Sequence, residues 1–162
     1  MQQLISLPAF IDYNSVFDEF GFGMRVRCLL LSHIYPLDNF LGSDRKPVIE
    51  VITTDKGKTH KRDRSLPAFK LKLGMGLIED TSGKSQRWIP GGFGHCRQAL
   101  WQWCLTRIEP KANRRLQTEV GQHLGDYVDK LKIGGTPAKV AQSRCCALAA
   151  RLLFQKLTRQ IT

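Results

Sequence analysis

The stretch from Leu116 onward constrains the fold most. Leu116, Val120, Leu124, Tyr127, Val128 and Leu131 recur at helical spacing until Gly134-Gly135 and Pro137 break the run. A second run covers 138–158, with Ala141, Cys145, Leu148, Leu152 and Leu153 on its inner side. Two amphipathic helices joined by so short a link predict an antiparallel pair. Such a pair is scaffold first and a partner surface second. It commits the chain to helix-on-helix packing.

Two short helices are also predicted over residues 15–34. Phe17 and Phe20 precede Gly21-Phe22-Gly23, and Val26, Leu29, Leu30 and Ile34 follow at helical spacing. A Gly-x-Gly between apolar helices is the logic of a helix-hairpin-helix: the glycines allow a tight turn, and N–H groups of the second helix face outward for a phosphate. Arg25 and Arg27 lie beside that turn. The same pattern also serves as an ordinary corner in a core. Val48 to Thr54 is rich in β-branched residues, Asp55-Lys56-Gly57-Lys58 is turn chemistry, and Thr59-His60-Lys61-Arg62 is polar and basic. That predicts a β-hairpin or a basic loop over 48–62, either suited to a nucleic-acid groove or simply solvated. Ser65-Leu66-Pro67 reads as a helix start with a serine cap, and Gly74 and Gly76 end that helix. A further helix is expected over 95–109, closed by Pro110, with Trp101 and Trp103 as core or core-edge aromatics.

At 162 residues the chain suits one domain, or one with a small appendage. Its 25 Lys+Arg against 14 Asp+Glu give a net charge of +11, with the excess beyond Asp44. A field of that sign attracts a polyanion, and nucleic acid is the commonest. Five cysteines without a Cys-x-x-Cys pair, and histidines that do not group with them, offer no zinc spacing. Free thiols on apolar helix faces and an N-terminus unlike a signal peptide point to the cytoplasm. No apolar run is long enough to cross a bilayer, so no membrane partner is expected.

The stretch Thr81-Ser82-Gly83-Lys84-Ser85-Gln86-Arg87, followed by Gly91-Gly92-Phe93-Gly94, has the residues for holding a phosphate. A serine beside a glycine can present its hydroxyl on a turn, Lys84 and Arg87 are cations close by, and the glycines feed a helix N-terminus. A P-loop is excluded, because Ile78 stands where its first glycine is required. A hydrolase elbow is absent around Ser82. A Ser-Gly pair without further context is a turn.

The order of these elements resembles the DEDD-type insertion-sequence transposases related to the Piv DNA invertase. The resemblance spans roughly residues 1–110 and matches their C-terminal domain. It is carried by Phe20-Gly21-Phe22-Gly23-Met24-Arg25-Val26-Arg27, by Phe69-Lys70-Leu71-Lys72-Leu73-Gly74, by Ser82-Gly83-Lys84-Ser85-Gln86-Arg87 and by Arg97-Gln98-Ala99-Leu100-Trp101. It implies that Ser82 is a nucleophile on a DNA phosphodiester, that Lys84 and Arg87 neutralise charge at phosphorus, and that Gly21 and Gly23 admit a phosphate. It further implies a RuvC-like acidic domain holding magnesium, a structured guide RNA, and action across a dimer. The chain departs from the family in Ile89-Pro90, where a cation usually precedes the glycine turn, and in lacking the acidic domain. Its scattered acids are not expected to hold a metal, and no cofactor is expected on the chain itself.

The expected fold is therefore mainly α: a helix-hairpin-helix-like N-terminal part, a small β-hairpin or basic loop insertion, and a C-terminal antiparallel helix pair. Residues 1–110 form the serine-bearing, DNA-binding domain, and 111–162 a helical-hairpin extension packed on it. The expected function is DNA binding in transposition, as the C-terminal piece of a transposase that is inactive without its acidic half in trans. Ser82 is its catalytic residue. Gly21, Gly23, Arg25, Arg27, Lys58, Lys61, Arg62, Arg64, Lys84, Arg87 and Arg97 are its nucleic-acid contacts. The rival readings are a non-catalytic basic nucleic-acid-binding protein and a structural partner protein using the helix pair.

Overall fold

The computed structural model describes residues 6–53, 57–82, 85–111 and 115–162. Among these the chain is mainly helical, with six α-helices and two antiparallel β-hairpins. Helices α1 (Ile11–Glu19) and α2 (Met24–Ile34) flank the first glycine turn. Strands β1 (Ile49–Thr53) and β2 (Thr59–Asp63) form the first hairpin, and α3 (Ser65–Lys72) follows. Strands β3 (Gly76–Ser82) and β4 (Ser85–Gly91) form the second hairpin. Helix α4 (Gly94–Trp103) then runs into a π-helical turn, Cys104–Ile108, before α5 (Glu119–Ile133) and α6 (Ala138–Ile161).

The expected helix pair is present and carries the core. Thr118 caps α5, its hydroxyl accepting from the Gly121 N–H at 3.1 Å, and Glu119 adds the negative charge that a helix start favours. Gly134 and Gly135 end the helix, Gly135 with φ +80°. Helix α6 is 24 residues long and packs against α1, α3, α4 and α5. Its inner stripe is built from Ala141, Cys145, Cys146, Ala149 and Ala150, small residues that let neighbouring backbones come close, with Leu153, Phe154 and Leu157 filling the space beyond. One buried cluster extends from Tyr13 to Leu157, so the helix pair shares its core with residues before 110. No helix among the described residues is long and apolar enough to cross a membrane.

The first hairpin lies where the β-branched run predicted it, with register Ile49↔Asp63 to Thr53↔Thr59. It is exposed along almost its whole length and is tied to the body at its base. There the Ser65 hydroxyl accepts from the Val48 N–H at 2.8 Å. Ser65 therefore does not cap α3; Asp63 does, its carboxylate accepting from the Leu66 N–H at 3.0 Å. The second hairpin was not anticipated. Its ladder runs from Gly76↔Gly91 to Ser82↔Ser85, so Thr81, Ser82, Ser85, Gln86 and Arg87 stand at its far end.

Candidate nucleic-acid interface

The first glycine turn is where cations, open backbone and free space coincide. Gly21 has φ +57°, a left-handed conformation that glycine adopts without strain. Phe22 is buried below it, stacked on Phe20 at 5.2 Å and meeting Trp103 edge-on at 5.0 Å. The Trp103 indole N–H donates to the Phe20 carbonyl at 2.8 Å, fixing the turn on the core. Gly23 caps α2 without a side chain, and a Cβ there would meet nothing within 4 Å. No side chain caps the start of α2, where the positive end of the helix dipole lies.

A cavity of about 830 Å³ opens at this turn, lined by Gly21, Gly23, Arg25, Gln102, Thr106 and Arg107 among others. The π-helical turn widens the end of α4, and Leu105, Thr106 and Arg107 of that turn all reach the cavity. Neither Arg25 nor Arg107 has a carboxylate partner among the described ion pairs. Two cations, the Gln102 amide and the uncapped helix start can together hold a phosphodiester; the Thr106 hydroxyl donates to the Gln102 carbonyl at 2.9 Å. Arg107, Thr106 and Gln102 escaped the sequence reading. Only the folding of α4 against α2 joins them to Gly21, and the basic block from Lys84 to Arg115 was the sole hint.

The other predicted residues are dispersed. Arg27 sits beside the turn but is turned back onto it, donating to the Phe22 carbonyl at 2.7 Å and pairing with Asp18 at 2.5 Å. Lys61 and Arg62 are exposed on β2, and Lys58 precedes that strand. Arg64 pairs with Glu50 at 2.6 Å across the hairpin base. Arg62 and Arg64 line a groove of about 690 Å³ that reaches Lys70. Ser82 is the last residue of β3, in register with Ser85; Lys84 lies outside the described residues. Arg87 pairs with Asp80 at 2.9 Å, two register positions from Ser82.

Arg97 is used inside the fold. It donates to the Gly74 carbonyl at 2.8 Å and the Gly91 carbonyl at 3.2 Å, joining the end of α3 to the foot of the second hairpin. Gly92, at φ +88°, packs so tightly there that a Cβ would overlap the Leu71 carbonyl oxygen. The second glycine cluster does lead into α4, as expected, but its glycines serve this crossing of chains.

Trp103 is buried, and Trp101 lies at the core edge, its indole N–H donating to the Gln142 side chain at 3.1 Å. Hydrogen bonding to Cys104 and burial raise the thiol pKa values of Cys145 and Cys146, which keeps both protonated. Among the described residues no three His, Cys, Asp or Glu side chains gather where a metal ion could sit. Comparisons with family models, with curated proteins and with solved structures find no match for this chain.

Proposed function

We propose that this chain binds the phosphate backbone of nucleic acid at the Gly21–Gly23 turn, as the serine-bearing C-terminal part of a transposase acting on DNA. One observation carries the binding: Arg25 and Arg107, without carboxylate partners among the described residues, flank the uncapped start of α2 in one cavity. The exposed basic hairpin β1–β2 supplies a second contact with the same polyanion. The part in transposition rests on the motif order through residue 110. In that role the Ser82 hydroxyl displaces a sugar oxygen at phosphorus, forming a serine–phosphate ester while the released strand end takes up a proton. A RuvC-like acidic domain, a guide RNA and a second copy of the chain are the partners this role calls for.

Binding is tested with a labelled DNA duplex of about 20 base pairs, titrated over a range of salt. Replacing Arg25 and Arg107 together by Gln should flatten the slope of log K against log salt by about 2, since each lost phosphate contact removes about 0.9. Failure of the wild-type chain to bind DNA or RNA at low salt overturns the reading. Chemistry is tested by adding the acidic domain and magnesium and looking for a covalent chain–DNA adduct, which Ser82→Ala should abolish.

The non-catalytic reading has its own observation. Arg87, which the resemblance assigns to a phosphate, pairs with Asp80, and Arg97, expected as a nucleic-acid contact, donates to two backbone carbonyls. On that reading Ser82→Ala changes nothing even with the acidic domain present.

A further inference from the structure

Along α6 the exposed Arg144 and Arg151 flank the half-buried Ala147 and Leu148, at spacings of three, four and seven, which places them in one stripe at the edge of the core. The two arginines are two turns apart, about 10 Å along the axis. Lys70 of α3 and Tyr127 of α5 complete a cavity of about 400 Å³ around this stripe. Its base is apolar and its remaining lining is three cations and a phenol.

The charges there are not neutralised. The described residues hold seven ion pairs, and none includes Lys70, Arg144 or Arg151. Burial lowers the pKa of the Lys70 ammonium below the ordinary lysine value, and the nearby charge of Arg151 lowers it further. Like charges gathered without a counter-ion repel, and a bound anion removes that cost. The position of Lys70 adds direction: it also lines the groove that Arg62 and Arg64 enter from the first hairpin. The two depressions adjoin through this one side chain.

We infer that Lys70, Arg144 and Arg151 seat a backbone phosphate of the nucleic acid that the β1–β2 hairpin holds, with Tyr127 and Leu148 against the adjoining sugar or base. This rests on the chain being a nucleic-acid binder and adds a third contact, beside the hairpin and apart from the Gly21–Gly23 cavity. The chemistry suits the ligand. Guanidinium groups fork onto phosphate oxygens, a tyrosine ring offers a stacking face, and the volume lies in the range of small-ligand sites.

The test measures DNA affinity against salt for four proteins: wild type, Arg144→Gln/Arg151→Gln, Arg144→Lys/Arg151→Lys, and a charge-matched control, Lys130→Gln/Arg159→Gln. Both pocket arginines are exposed, and circular dichroism checks that each variant is folded. The glutamine pair should flatten the salt slope by about 2, while the lysine pair and the control stay near wild type. Wild-type affinity and slope in the glutamine pair, with the wild-type chain binding DNA, overturn the pocket and leave the proposed function standing. Equal losses in the glutamine pair and the control also overturn it, by reducing the effect to net charge. A wild-type chain that binds no nucleic acid removes both.

Discussion

The tripeptide Gly-Phe-Gly occurs twice, at Gly21-Phe22-Gly23 and Gly92-Phe93-Gly94, and the two copies are put to different uses. Both open on a left-handed glycine and both lead into a helix. In the first copy Phe22 is 2% exposed and Gly23 is open beside a cation-lined cavity, while a Cβ on Gly21 would overlap the Leu116 side chain. In the second Phe93 is 45% exposed, with His33 stacked on it at 4.1 Å and the Lys72 ammonium 5.6 Å above its ring. There it is Gly92 that is closed in, against the Leu71 carbonyl. In both copies the first glycine is closed in and the second is open; they differ in that Gly21 meets a side chain, Gly92 meets backbone, and only the first turn borders the cation-lined cavity. Local sequence sets the backbone conformation of both; what packs around each decides its role.

Alanine at each site separates the two uses most sharply. Gly92→Ala combines a left-handed φ with an overlap on backbone that cannot turn away, and should cost about 3 kcal/mol or more of stability. Gly23→Ala, at φ −73° with nothing within 4 Å, should stay within about 0.5 kcal/mol. Urea denaturation of both variants checks this. Equal losses would break the comparison.

Arg97 and Arg25 extend the contrast to charge. Arg97→Gln removes two charge-assisted bonds to partly buried carbonyls and should cost about 2 kcal/mol while leaving the DNA affinity of the folded protein unchanged. Arg25→Gln should do the reverse, holding stability and weakening DNA binding with a salt slope shallower by about 1. Loss of affinity without loss of stability in Arg97→Gln would make Arg97 a phosphate contact after all.

These contrasts also mark how far the sequence could be read. The helices were legible because Val120, Leu124 and Val128, or Ala141 and Cys145, repeat with the helical period, and because Gly134-Gly135 and Pro137 punctuate them. The first hairpin was legible from its β-branched run. The second was missed because Glu79 and Asp80 are weak strand formers, and because Ser82-Gly83-Lys84-Ser85 drew attention as chemistry when it also fits a short hairpin connection. At the candidate interface the turn itself was visible, since Gly21, Gly23 and Arg25 are neighbours in the chain. Arg107 was not, because it arrives from more than eighty residues away through a π-helical turn that no local pattern announced. The inward use of Arg97 was hidden for the same reason: its acceptors are carbonyl oxygens, which every residue has.

The smallest predicted effect concerns the two thiols that follow these turns. Cys28 of α2 is half-buried, whereas Cys96 of α4 is fully buried and burial pushes its thiol up to about 11. A small thiol reagent near pH 8 should label Cys28 on the native protein and reach Cys96 only as the chain unfolds. The sign for stability follows from the same shift. A folded-state pKa above the ordinary value favours the fold while the thiol stays protonated, so the contribution of Cys96 is complete below about pH 9 and fades as pH rises through 11. Tyr13 of α1, whose hydroxyl accepts from the Leu37 N–H, is raised by burial to about 12 and extends the decline beyond that point. Cys96→Ala should therefore remove the part of the alkaline loss between pH 9 and 11 and keep the later part. If the variant's urea midpoint falls with pH just as the wild type's does, the thiol behind the second turn is less sheltered than its burial requires.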